Sequence, residues 1–115
     1  MKGITLLVIG NKNYMYYAAN LMCSIKYYNP MIKINMITEK HLIDTIPNHF
    51  RLWDFVTFMD ESDYYHDGKF SPGLAKTSIY KYLFDHTEWE ETVYLDVDAI
   101  AIRDVYLLFD CSGYY

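Results

Sequence analysis

Two aspartates, Asp96 and Asp98, stand at positions i and i+2 directly after the apolar run Thr92-Val93-Tyr94-Leu95. In an extended chain, side chains two residues apart point to the same side. Two carboxylates presented together repel, and one is driven toward protonation unless a cation lies between them. Paired oxygen ligands suit a hard divalent ion such as Mg²⁺ or Mn²⁺, and an ion held there would bind a diphosphate. Apolar residues lead in and, through Ile100 and Ile102, lead out, so the pair is embedded in a sheet, where idle acids are costly. The competing reading is that Asp96 and Asp98 cap a turn or pair with Arg103 or a lysine.

The elements that must position this pair are written in the hydropathy pattern. Residues 4–9, Ile-Thr-Leu-Leu-Val-Ile, form a β-branched apolar run closed by Gly10-Asn11, which predicts a strand buried on both faces. Asn13 is the predicted cap of a helix in which Met15, Ala18, Ala19, Met22 and Ile25 recur at helical spacing until Asn29-Pro30 stops it. Residues 32–37 predict a second strand, so the chain opens with a βαβ unit, a right-handed crossover between parallel strands. Residues 39–49 read as a weaker helix interrupted by Pro47, and residues 55–59 as a third strand. Residues 60–70, with Asp60, Glu61, Asp63 and Asp67, read as an acidic loop, either solvated or serving as a lid. Ser71-Pro72 is a helix start, with Ser at the cap and Pro at the first position, for a helix over 72–85. Residues 92–95 then predict a fourth strand running into the aspartate pair, and residues 104–109 a short helical turn. Strands alternating with helices predict a single α/β domain over 1–115, a mostly parallel sheet flanked by helices. In such sheets ligands bind beyond the carboxyl ends of the strands, where the aspartates fall.

Composition narrows the function classes. The chain has 115 residues, 52% apolar and 22% charged, so it can sustain one modest core and is not a disordered tail. Net charge is −5, which argues against a nucleic-acid platform. Residues 1–59 carry six basic and three acidic side chains, and residues 60–115 carry four and twelve. The acidic half suits a cation site. No apolar run approaches the ~20 residues of a membrane span, and no secretory leader is apparent, which predicts a cytoplasmic protein. Cys23 and Cys111 lie far apart with no histidine at ligand spacing, so both read as reduced thiols and no structural zinc is expected. Gly10-Asn11-Lys12-Asn13 lacks the G-x-G-x-x-G turn of a dinucleotide site. An aspartyl-phosphate phosphatase also uses DxD after a strand, but on its first strand rather than its fourth.

Lys76, in the opening turns of the Ser71-capped helix, is the best phosphate-binding candidate, a cation on a flexible stem, with Lys12 a weaker alternative. Residues 92–100, Thr-Val-Tyr-Leu-Asp-Val-Asp-Ala-Ile, resemble the DxD segment of GT-A-fold glycosyltransferases, especially the glycogenin-like and galactosyltransferase-like group. Residues 9–14 with Ala18-Ala19-Asn20-Leu21 are similar to that group's first strand and helix, and residues 76–82 to the helix before its DxD. The resemblance implies a nucleotide-diphospho-sugar donor, a UDP-hexose, whose sugar passes to a hydroxyl acceptor. It makes Asp96 and Asp98 the ligands of Mn²⁺ or Mg²⁺, with Asp96 also facing the nucleotide and Val97 only packing. It makes Asn11 and Tyr14 candidates for the ribose and base. Tyr14 could stack on a base or simply pack, and Asn11 reads equally as a plain turn residue.

The chain departs from that family in stopping 17 residues after Asp98. The family's later part supplies a third metal ligand, the acceptor site and much of the sugar pocket. The expectation is therefore a nucleotide-binding half, truncated or completed in an oligomer or larger assembly, with weak nucleotide binding and little turnover alone. The alternative is a non-catalytic module that binds a nucleotide-sugar or a protein partner.

Overall fold

The computed structural model describes residues 2–44, 46–83, 89–97 and 109. The apolar run near the start forms β1 (Lys2–Val8), which turns through Gly10 into α1 (Asn13–Tyr28). The chain returns as β2 (Lys33–Thr38), followed by a short α2 (Lys40–Asp44) and a 3₁₀ turn at Asn48–Phe50. Then come β3 (Phe55–Phe58), a 3₁₀ turn at Glu61–Asp63, and a hairpin of β4 (Tyr65–His66) and β5 (Lys69–Phe70). The last described elements are α3 (Pro72–Ser78), a 3₁₀ turn at Ile79–Lys81, and β6 (Glu91–Leu95). The expected α/β architecture is present. A four-stranded sheet runs in the order β3-β2-β1-β6, and every pairing in it is parallel.

Alternation along the strands explains the two layers. Ile4, Leu6 and Val8 of β1 and Ile34 and Met36 of β2 face α1, whose Met15, Ala18, Leu21, Met22 and Ile25 close that side of the core. The opposite face carries Ile9 and Ile37 under Ala75 of α3, with Ile79, Met59 and Tyr64 around them. Met15, Leu21, Met22 and Ile25 are at most 1% exposed. At roughly 1.5–3 kcal/mol per fully buried side chain, packing holds α1 far more strongly than its ends do. The predicted periodicity of α1 thus coincides with its buried stripe.

Three local expectations are corrected. Asn13 does not cap α1. The side chain of Asn11 accepts the Asn13 N–H at 2.8 Å instead, and the Asn11 carbonyl takes the Tyr14 N–H at 3.0 Å. The helix after Ser71 is shorter than 72–85: Ser71 Oγ does cap it, accepting from Leu74 N–H at 3.2 Å, but the α-helix ends at Ser78 and tightens into a 3₁₀ turn. That tightening swings Lys81 and Tyr82 onto Asp63. Within the acidic stretch 60–70, the chain is folded rather than a plain loop. Asp67 and Gly68 both take positive φ, 53° and 74°, and close the β4–β5 hairpin as a two-residue turn. Asp-Gly is the favoured pair there because both positions need left-handed backbone.

Among the described residues, no helix is long and apolar enough to cross a membrane.

Candidate functional site

The sheet order places β2 on one side of β1 and β6 on the other. The direction in which the chain adds strands therefore reverses between β1 and β6, and beyond the carboxyl ends of two such strands a crevice opens. A cleft of about 470 Å³ lies there. Leu7 and Ile9, at the end of β1, give it an apolar base. Tyr14 and Tyr17 enter from the first turns of α1, their ring centroids 6.2 Å apart. Phe70, Pro72, Ala75 and Lys76 line it from β5 and α3, and Tyr94, Asp96 and Val97 from the end of β6.

Three sequence-predicted residues thus share one cleft, although they come from three separate parts of the chain. Lys76 Nζ lies 4.0 Å from Asp96 Oδ1, with the two side chains 62% and 59% exposed. A pair that open and that long is worth little in water, so both groups remain available to a ligand. The Tyr94 hydroxyl donates to the same Asp96 Oδ1 at 3.0 Å, fixing one oxygen of the carboxylate. Tyr14 is 45% exposed and presents its ring to the cleft rather than to the core. Val97 packs against the α1 side of the core. Asn11 does not line the cleft, because its side chain is engaged in the turn that starts α1. Lys12 is likewise outside the lining. Asp98 lies outside the described residues, as do Arg103, Cys111 and His86. The β6 ladder stops at Leu95 and Val97 is in a turn, so the alternation argument for two same-side carboxylates does not extend beyond that strand.

The sequence matches no known family model and no curated protein.

Several cleft residues had no sequence signal of their own. Tyr17, Phe70 and Tyr94 are ordinary aromatics among many, and only the tertiary fold brings them together. Phe70 is the most informative. Gly10 has φ +92°, and a Cβ there would lie 2.7 Å from Phe70 Cζ. The turn after β1 thus needs glycine twice, for left-handed backbone and for the ring that lies on it. The Gly10 N–H donates to Glu39 Oε1 at 2.7 Å, and Glu39 is 5% exposed. The other oxygen of Glu39 lies 3.1 Å from His41 Nε2. A buried carboxylate after β2 therefore fixes the turn that leads into Tyr14.

A second buried acid anchors the far side of the cleft. Asp63 is 4% exposed, accepts from Lys81 Nζ at 2.5 Å, and takes the Tyr82 hydroxyl on its other oxygen. The Asp60 N–H in turn donates to that hydroxyl at 3.2 Å. Hydrogen bonds from Lys81 and then Tyr82 hold the Asp63 carboxyl below its ordinary value, against the opposing effect of burial. The Lys81 ammonium is pushed up by the same contact, and the Tyr82 phenol is pushed up by burial and by its bond to Asp63. Burial, followed by Glu39 and Glu61, also raises the Tyr64 phenol. Both phenols stay neutral at physiological pH, so Tyr82 serves as a hydrogen-bond donor to a charged carboxylate.

As a cation site, the cleft offers Asp96 as its one carboxylate among the described residues, and no described group of three or more His, Cys, Asp or Glu surrounds it. Both contacts of Asp96 among those residues fall on Oδ1, which leaves Oδ2 for a further partner. One or two carboxylates completed by substrate phosphates and water are what Mg²⁺ ordinarily uses. The residues present therefore fit a metal that arrives with a diphosphate, and do not form a self-sufficient metal cage.

Proposed function

We propose that the chain is the nucleotide-binding part of a GT-A-like glycosyltransferase, taking a nucleotide-diphospho-sugar such as a UDP-hexose as donor and a hydroxyl as acceptor. The observation that carries this reading is the convergence of Tyr14, Lys76 and Asp96 on one cleft at the β1/β6 switch point. These are an aromatic face, a cation and a carboxylate, the groups that a base, a diphosphate and its divalent ion require.

In this reading Lys76 binds diphosphate oxygens as a mobile point charge, and Tyr14 offers its ring to the base. Asp96 would hold the ion, with Asp98 as the second ligand implied by the resemblance. A bound Mn²⁺ or Mg²⁺ supplies Lewis-acid neutralisation of charge on the departing diphosphate. The apolar base of Leu7, Ile9 and Ala75 gives the non-charged part of the ligand a surface to lie on. In the free protein Lys76 and Asp96 partly satisfy each other at 4.0 Å. Binding would exchange that loose pair for Lys76 with phosphate and Asp96 with the ion, so affinity for diphosphate and for metal should each rise when the other is present.

Calorimetric titration of the chain with UDP, with and without Mn²⁺, tests the proposal. The expected result is binding that Mn²⁺ tightens and that Asp96→Asn and Asp98→Ala each weaken at least tenfold. Affinity for UDP that ignores both metal and the two substitutions would refute it. A product assay with UDP-hexoses then separates the two functional classes: turnover supports the transferase, and metal-linked binding without turnover supports a nucleotide-sugar-binding module.

A further inference from the structure

Phe70 is a large apolar side chain that the fold leaves 37% exposed, and it packs against neighbours on more than one side. Its strand is short, but the Asp67-Gly68 turn fixes the register, and the Ser71 N–H closes the base of the hairpin on the Tyr64 carbonyl at 2.7 Å. The ring packs against Tyr64 and Tyr65, with centroids at 6.4 and 6.2 Å, and lies on the backbone of Gly10. Three neighbours thus constrain the ring, while part of it borders the cleft. An aromatic side chain already immobilised loses little entropy when a ligand stacks on it.

We propose that Phe70 is a ligand-binding residue of this cleft, forming a wall on which the base of the bound nucleotide stacks, with the missing side chain of Gly10 as the seat that keeps the ring in place. This rests on the nucleotide reading above and adds to it a residue from the hairpin. The charged side chains of the cleft, Lys76 and Asp96, address the phosphate end of a ligand, whereas Phe70 offers only an apolar face. Its contribution is therefore confined to the base-bearing part of the ligand.

The experiment is calorimetry on the full chain in Mg²⁺ with three probes: UDP, UMP and inorganic pyrophosphate. Phe70→Ala should weaken UDP and UMP by a common factor, roughly five- to a hundredfold for the loss of one base–aromatic stack, and leave pyrophosphate unchanged. Phe70→Trp should retain UDP affinity. If Phe70→Ala does not fold, as judged by its thermal melt, Phe70→Leu decides the matter by keeping bulk without a π face, and the same losses are expected. A folded Phe70→Ala or Phe70→Leu that binds UDP like the parent overturns the proposal alone. Equal loss of pyrophosphate also overturns it, since that pattern marks a purely structural role. A parent chain that binds pyrophosphate but neither UDP nor UMP overturns this proposal and the nucleotide reading together.

Discussion

Replacing Tyr82 with Phe removes one oxygen and tests how the hairpin side of the cleft is held. That oxygen has two tasks. It donates to a carboxylate, Asp63, that is 4% exposed, and it accepts the Asp60 N–H at 3.2 Å. The second bond is at the surface, and water replaces it at little cost. The first is a bond to a charged group away from solvent, a class worth about 1.5–3 kcal/mol. Lys81 remains on Oδ1, and it does not replace the donor lost from the other oxygen. The expected loss at pH 7 is therefore about 2 kcal/mol, on the order of 8 °C in Tm for a chain of this size. Because the Asp63 carboxyl is held below its ordinary value of 3.8, its bonds stabilise the fold fully above that pH. Their contribution drains away as pH falls below 3.8 and the carboxylate protonates. Urea unfolding of the parent and Tyr82→Phe between pH 2 and 7 should show a difference that is constant above about pH 5 and shrinks in acid. A variant within 0.5 kcal/mol of the parent at pH 7, or a gap that persists unchanged to pH 2, would refute the reasoning.

Two further substitutions separate ligand binding from folding. Lys76→Ala removes a side chain that is 62% exposed, so Tm should hold while UDP affinity drops roughly tenfold, the loss expected for one bond to a charged group; a large fall in Tm would instead assign Lys76 to the fold. Glu39→Ala strands the Gly10 N–H and should cost about 1–3 kcal/mol in urea unfolding, whereas Glu39→Gln keeps an acceptor and should recover most of it. Equal stabilities for the two variants would show that the Gly10 contact does not matter.

How much of this was readable beforehand differs between element and site. The buried stripe of α1, Met15-Ala18-Ala19-Met22-Ile25, is a periodic pattern, and its energy is local to one helix and its floor, so sequence spacing carries it. The same holds for the β-branched run of β1 and for Ser71-Pro72 at the start of α3. The hairpin was missed because an acidic, aromatic-rich stretch looks solvated; Asp67-Gly68 was the overlooked cue, since that pair favours a tight two-residue turn. The place of Asn13 was misjudged because α1 starts one residue early: Lys12 is its N-cap with no side-chain cap bond, and Asn11 holds the preceding turn through the Asn13 N–H. At the site, Asp96 stood out by its place after a strand, where an α/β sheet exposes its ligands, Lys76 by its place in the Ser71-capped helix, and Tyr14 only through the family resemblance. Phe70, Tyr17 and Tyr94 carry no such positional mark. They become neighbours only through strand order and hairpin register, which are global properties of the chain.

The pairing of β1 with β6 also has a temporal side. Thr5 and Thr92, joined hydroxyl to hydroxyl at 2.6 Å, are 87 positions apart. During synthesis at about 5–20 residues per second, the opening strand waits on the order of 4–17 s for this partner. Until then, one flank of β1 is an unsatisfied ribbon of amides able to recruit a stranger, the situation in which nascent sheets aggregate. The strand that brings Asp96 to the cleft is thus also the one that covers this flank of β1, and among the described residues it takes over as the edge of the sheet.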